Sequence, residues 1–454
     1  MIRLCISTQS PPTQPLGTRH ATARHVWRLG TDYEPQFGGV VPMMRALLRH
    51  GINHWIAPNP RWVALGAGGL PREFRTNEGY WVETVDFDPK LRPGYVRFKE
   101  AIWRSFHGPR GLEPMAPADY RAFVGFNHAM AQRLLERAGQ YDLLYVNDFQ
   151  QLLVGGLIGA MAPTLLRWHI PLEFRGYPEP VRRFFLRSME GFDAVVVSTR
   201  RGLEELLRVG LHGRAFQVYP YIDPAEHEPT SESMRLAFQT KFGLEGKPYL
   251  LAVGRLDPVK RQDLVIRAFS SLRRRYPELR LVLAGGLSFS TAHLARRGEN
   301  KAADWDTTLH REIRRLRLEK SVVLTGNLSH DELRAAYDGA RVFVHPAPWE
   351  GFGLVAIEAW THGIPVVVSR GAGVAELVDD GVNGMLARPG SVPSLTAQID
   401  VLLRHPDAAE RMGIMGRLAA RRCHIEQAMP RLREIFSRTM QLYTGAGRTS
   451  SGRT

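Results

Sequence analysis

Strand-like and helix-like stretches alternate along this chain, and the alternation runs twice. A β-branched run over residues 2–8 leads through a polar, Pro-rich stretch to Phe37-Gly38-Gly39-Val40. Apolar residues then recur at helical spacing, Val40, Met43, Met44, Leu47 and Leu48, until Gly51 offers a stop. Further strand-like runs follow at 143–146, 165–169, 194–198 and 216–219. The pattern breaks at Tyr219-Pro220-Tyr221-Ile222-Asp223-Pro224 and restarts at 249–253, 281–284, 322–325, 342–345 and 366–369. Such alternation predicts parallel sheets covered by helices. Two α/β halves then imply two Rossmann-like, doubly wound domains facing across a cleft, with ligands beyond the carboxyl ends of the strands. The expected division is one α/β domain over 1–221, a second over 222–425, and a final segment over 426–454 that ends in a disordered tail. Residues 90–115, rich in Pro, Arg and aromatics, read as an irregular insertion.

Composition narrows the function. At 454 residues and 44% hydrophobic content, the chain has material for two or three packed domains, which excludes a wholly disordered protein. The formal charge is +15, yet Arg outnumbers Lys 53 to 7 and the excess is spread along the chain. A nucleic-acid binder would concentrate it in a stripe or tail, so an anionic small molecule or membrane surface is the better partner. Cys5 and Cys423 cannot form a disulfide framework, and the first ten residues lack a secretion signal. The most apolar run, 152–162, falls short of the ~20 residues a membrane span requires. These features predict a soluble, cytoplasmic protein.

Two segments carry chemistry. Gly254-Arg255-Leu256-Asp257-Pro258-Val259-Lys260 follows a strand, so Arg255 and Lys260 can address one anion across a turn. A rare Lys in an Arg-rich chain suggests a compact ammonium at a phosphate. The second is Trp349-Glu350-Gly351-Phe352-Gly353-Leu354, leading through Val355-Ala356-Ile357 to Glu358. Glycines before a helix start expose amides suited to a phosphate. The spacing predicts about two helical turns between Glu350 at the mouth and Glu358 deeper, where a carboxylate can accept ribose hydroxyls. Asp86-Phe87-Asp88 and Asp304-Trp305-Asp306 imitate metal-binding motifs but read as loop carboxylates, and no Cys/His metal set appears.

Together, Gly38-Gly39, Arg255 with Lys260, and Glu350 with Glu358 resemble the donor-site signature of retaining GT-B glycosyltransferases of family 4. The resemblance implies that Arg255 and Lys260 neutralise the leaving diphosphate of a nucleotide sugar such as UDP-, ADP- or GDP-glucose. It implies that Gly351, Phe352, Gly353 and Leu354 meet phosphate or sugar through backbone amides, that Glu358 holds the ribose, and that Asn327 and Leu328 read the base. The resemblance also implies that 1–221 is the acceptor domain, that 222–425 is the nucleotide-sugar domain, and that a helix within 426–454 crosses back to the first domain; no cofactor or metal is implied. Arg261 departs from the pattern, which usually has glycine after the lysine.

The N-terminal half resembles trehalose and trehalose-phosphate synthases through Trp103-Arg104-Ser105-Phe106-His107, Val146-Asn147-Asp148-Phe149-Gln150 and Arg167-Trp168-His169-Ile170-Pro171. This implies Asp148 at the acceptor and reacting sugar, His169 against the donor sugar, and Trp103, with Tyr95 nearby, shaping the acceptor pocket. Ser7-Thr8-Gln9 stands where trehalose-phosphate synthases close the first strand with a phosphate-binding arginine. A second such arginine is replaced by Gly286-Leu287-Ser288-Phe289-Ser290, with Arg296 or Arg297 as conceivable substitutes. Arg19, Arg24 and Arg104 are other cations that could restore phosphate binding. The departures favour an unphosphorylated sugar held by Gln9, Asp148 and His107. The expected function is hexosyl transfer, glucose first, to a small sugar. The alternatives are trehalose-6-phosphate synthesis, polysaccharide or glycolipid transfer with peripheral membrane contact, and a non-catalytic binding protein on the same fold. An Arg- and Trp-rich amphipathic helix within 90–115 would favour the membrane alternative. Oligomeric state is open.

Overall fold

The computed structural model describes residues 1–16, 25–36, 38–66, 69–108, 115–286 and 301–445. Arg19, Arg24, Leu287, Ser288, Phe289, Ser290, Arg296, Arg297 and the tail from 446, all used in the sequence argument, lie outside these residues. The chain divides into two compact units: Met1–Tyr221 together with the segment from Ile425, and the described residues between Ile222 and His424.

The first unit is built on a nine-stranded sheet. From edge to edge it runs Ala215–Gln217, Ala194–Val197, Thr164–Trp168, Leu143–Asn147, Leu4–Thr8, Arg61–Leu65, Trp81–Val85, Glu73–Thr76, Val26–Trp27. Neighbours pair in parallel except Glu73–Thr76 against Trp81–Val85. Both faces are buried, and side chains alternate between two cores. Cys5, Val63, Leu144 and Val146 enter one; Leu4, Ile6, Trp62, Leu143 and Tyr145 enter the other. The helix Ile425–Tyr443 closes the second core, setting Phe436 against Trp55 and Tyr145 with ring centroids 5.4 and 5.1 Å apart. Fully burying Leu432, Ile435 and Phe436 contributes roughly 1.5–3 kcal/mol each.

The second unit is a six-stranded parallel sheet. Its order is Val322–Gly326, Arg280–Ala284, Tyr249–Val253, Val342–His345, Val366–Ser369, Met385–Ala387. Chain order therefore reverses between Tyr249–Val253 and Val342–His345. Ligands of open α/β sheets collect at that reversal, because loops leave the two strands in opposite directions.

Residues 92–107 are not an irregular insertion. They form the helix Arg92–His107, with Pro93 in its first turn, where no intrahelical N–H is lost. Tyr95, Phe98, Ile102 and Phe106 recur at helical spacing and are buried, so this helix offers no exposed amphipathic face. Asp304, Trp305 and Asp306 also lie in a helix, Lys301–Arg315, and not in a loop. Among the described residues, no group of His, Cys, Asp and Glu is arranged to hold a metal ion, and no helix is long and apolar enough to cross a membrane.

Candidate active site

In the second unit, the two segments singled out in the sequence flank the point of strand reversal. Arg255 follows the strand Tyr249–Val253, and Lys260 ends a 3-10 turn, Pro258–Lys260, whose Asp257 side chain accepts from the Val259 amide at 3.0 Å. Buried Gln262 donates to the Arg255 carbonyl at 2.8 Å and accepts from Trp305 Nε1 at 2.8 Å, bracing the turn from behind. Arg261 adopts φ 53°, ψ 44°, the left-handed conformation that glycine takes without strain. A side chain there costs roughly 1–2 kcal/mol. Its guanidinium grips Asp263 through two hydrogen bonds of 2.8 and 3.0 Å, which offsets that cost.

The strand Val342–His345 leads into the other segment. Lys260 Nζ is ion-paired and hydrogen-bonded to Glu350 Oε2. The Glu350 loop is tied down by Gly373 N–H to the Glu350 carbonyl (3.0 Å) and Val374 N–H to the Phe352 carbonyl (2.8 Å). The helix Leu354–Thr361 starts only after Gly353, so Glu350 precedes the helix and Glu358 lies one turn inside it. The expected two helical turns between them are not there, because Gly351, Phe352 and Gly353 form the entry turn. Gly353 has φ 105°, and a Cβ there would sit 3.1 Å from His345 Nε2. In the first turn the Ala356 amide donates to the Gly353 carbonyl at 3.0 Å, and the amides before it stand at the helix N-terminus, where an anion is favoured.

His345 carried no sequence signal beyond its place at a strand end. It is 3% exposed, and its Nε2 has no hydrogen-bond partner. Burial holds its imidazole down to about 4, with Glu350 raising and Lys260 lowering it, so it is neutral near pH 7. Glu358 accepts from the Tyr337 hydroxyl at 2.8 Å, and burial pushes its carboxyl up to about 6 against that bond. Asn327 is exposed and Leu328 buried, just after the strand Val322–Gly326.

The first unit makes a second constellation by the same logic. Gln9, Asp148 and His169 are the residues immediately after three neighbouring parallel strands, Leu4–Thr8, Leu143–Asn147 and Thr164–Trp168. Asp148 Oδ1 accepts from the His169 amide at 3.1 Å, and His169 Nε2 lies 3.1 Å from Asn147 Oδ1. Tyr95 donates to Gln9 Oε1 at 3.0 Å, and the Asp148 charge adds to the burial that raises the Tyr95 phenol. Burial pushes Asp148 up to about 6, against amide bonds from His169 and Phe149. Burial, with the Arg167 charge second, holds His169 well below its ordinary value. Trp103 and His107 stack on each other one helical turn apart, centroids 3.8 Å, with His107 Nδ1 2.9 Å from the Trp103 carbonyl. Gly38 and Gly39 are exposed at the start of the helix Val40–Gly51.

Asp148 has φ 71°, ψ 168°, a backbone region held almost exclusively by glycine and costing on the order of 1–3 kcal/mol. Strain retained at a strand end makes Asp148 a candidate for function. Replacing Asp148 with Gly or Ala removes the carboxylate equally, but only Gly relieves the backbone. Asp148→Gly should unfold at a higher temperature than Asp148→Ala while both lose turnover. Equal thermal midpoints would show that the backbone is unstrained.

The comparisons agree with this architecture. Residues 235–418, within the second unit, match the family model described as Glycosyl transferases group 1. The solved structures that resemble the whole chain are GT-B glycosyltransferases, and the fold is GT-B. One, an α,α-trehalose-phosphate synthase (UDP-forming) from Burkholderia xenovorans in complex with glucose-6-phosphate, has a TM-score of 0.75 at 17% identity, covering 97% of this chain and 100% of that one. At that identity the likeness concerns the fold. The GDP-mannose-dependent alpha-(1-6)-phosphatidylinositol monomannoside mannosyltransferase of Mycolicibacterium smegmatis is 32% identical over 205 residues, 44% of this chain and 49% of that protein. Mannosylfructose-phosphate synthase of Agrobacterium fabrum is 32% identical over 234 residues, 50% and 49% respectively. The chain thus spans about half the length of these two relatives.

Proposed function

We propose that this protein is a retaining hexosyltransferase that moves a hexose, glucose first among them, from a nucleoside diphosphate sugar to a small sugar acceptor. The observation that carries the reading is the Lys260–Glu350 pair beneath the Gly353 turn, at the reversal point of a sheet within the stretch that matches the Glycosyl transferases group 1 model. Breaking the anomeric C–O bond places growing negative charge on the departing diphosphate. Arg255, Lys260 and the amides opening the helix Leu354–Thr361 are donors fixed in advance for that charge. Glu350 orients the Lys260 ammonium, and Glu358 accepts the ribose hydroxyls. On the acceptor side, Gln9, Tyr95, Trp103, His107 and Asp148 bind the sugar, and neutral His169 lines the reacting hexose. Assaying nucleoside diphosphate release with a panel of donors and sugar acceptors tests the reading. Release with no donor would sink it.

Glu358 supplies a pH signature. Above about 6 it is ionised and accepts two hydroxyls; as pH falls through 6 it gains a proton and loses part of that capacity. The donor KM should rise up to about tenfold per pH unit below that value. Glu358→Gln should raise KM throughout and flatten its pH profile. A profile unchanged by the substitution would remove Glu358 from the donor site.

A second reading, transfer to a lipid-linked acceptor, is favoured by the M. smegmatis relative, whose name specifies a phosphatidylinositol monomannoside. Replacing the sugar panel with lipid acceptors in vesicles separates the two.

A further inference from the structure

We propose that the outer face of the helix Pro406–Ala420 docks on an anionic bilayer surface. The helix packs inward through Ala409, Met412, Gly413, Gly416 and Ala420. Its rotation is fixed by close approach: a Cβ on Gly413 would sit 1.9 Å from the Gly363 carbonyl oxygen, and one on Gly416 2.2 Å from Trp360 Cδ1. The opposite face therefore cannot roll into the core. That face carries Ile414, Met415 and Leu418, 55%, 43% and 49% exposed, adjacent on one helical turn. Single exposed apolar residues are ordinary, but three neighbours locked outward are not explained by folding.

Charge selects the occupant. Arg411 precedes the apolar trio, Arg417 stands between Met415 and Leu418, and Arg421 follows; all are exposed and none is in an ion pair among the described residues. Asp407 lies in the first turn and Glu410 one turn before Ile414, so the last two turns bear only positive charge beside the apolar trio. A second copy would bring the same arginines against these, and a nucleic acid would leave the apolar trio unsatisfied. A bilayer with anionic headgroups satisfies both, taking apolar side chains at the acyl boundary and guanidinium groups at the phosphates. This surface does not depend on the catalytic reading, and its test uses no activity.

The full chain is sedimented with vesicles of phosphatidylcholine alone, or of phosphatidylcholine and phosphatidylglycerol in equal parts. Binding is expected to the anionic vesicles only. Ile414→Ser, Met415→Ser and Leu418→Ser combined should weaken it at least about tenfold. Arg411→Gln with Arg421→Gln should weaken it about thirtyfold, each cation near the surface being worth about a tenfold factor or less. Unchanged thermal midpoints would show that these variants are folded. Equal binding of the apolar triple variant, equal binding to both vesicle types, or no binding to either overturns the proposal. Concentration-dependent self-association that the triple variant abolishes, without vesicle binding, assigns the face to a second copy and overturns it too.

Discussion

Lys260→Ala should lower kcat at least about a hundredfold, because losing one fixed donor to developing charge removes on the order of 3 kcal/mol of transition-state stabilisation. The ammonium and its Glu350 partner are mostly buried, with side chains 18% and 12% exposed. The substitution therefore also leaves Glu350 without this partner, costing roughly 1–3 kcal/mol of stability. Lys260→Ala with Glu350→Gln separates the two effects: thermal stability should recover while turnover stays low. Arg255→Ala should resemble Lys260→Ala, and the double alanine variant should fall short of additive, since both act on one charge. Parental turnover in Lys260→Ala would dispose of the donor site.

The legible parts of this fold are those governed by local pattern. Two-residue alternation marks the strands, and glycine before a helix marks the entry turn at Gly353. Position after a strand singles out Arg255 from pattern alone, because ligands of open parallel sheets gather there, whereas Asp148 and His169 rest on the resemblance to trehalose and trehalose-phosphate synthases. The helix Arg92–His107 was hidden by Pro93, which reads as a breaker until its first-turn position is known; Tyr95, Phe98, Ile102 and Phe106 nonetheless hold the helical period. His345, Gln262 and Trp305 were invisible for a different reason. Their roles arise from contacts between segments far apart in sequence, such as Trp305 reaching Gln262 across 43 positions. Arg261 shows the limit of reading a departure as a loss. The turn keeps glycine's conformation, and the two-residue reach to Asp263 sustains it.

The acceptor is where this chain departs most from trehalose-phosphate synthases, and Gln9 decides the expectation. Its Oε1 is occupied by the Tyr95 hydroxyl at 3.0 Å, so the amide nitrogen is the end left to meet a ligand. That group donates hydrogen bonds but carries no charge, and Gln9 is only 8% exposed. A phosphate dianion brought to it would shed water without gaining a counter-charge, whereas a sugar hydroxyl needs only the hydrogen bond. Free glucose should therefore outcompete glucose 6-phosphate as acceptor at equal concentration and saturating donor. Gln9→Arg should move the ratio of their kcat/KM values toward the phosphorylated sugar by about tenfold to a hundredfold, since a charged hydrogen bond is worth roughly 1.5–3 kcal/mol. Tyr95→Phe serves as the control: it frees Gln9 Oε1 without adding charge, and should change both acceptors alike. If glucose 6-phosphate wins by a wide margin in the parent chain, another cation supplies the missing charge and Gln9 does not set the choice. If it loses in the parent and Gln9→Arg leaves the ratio unmoved, the acceptor's phosphate end lies elsewhere.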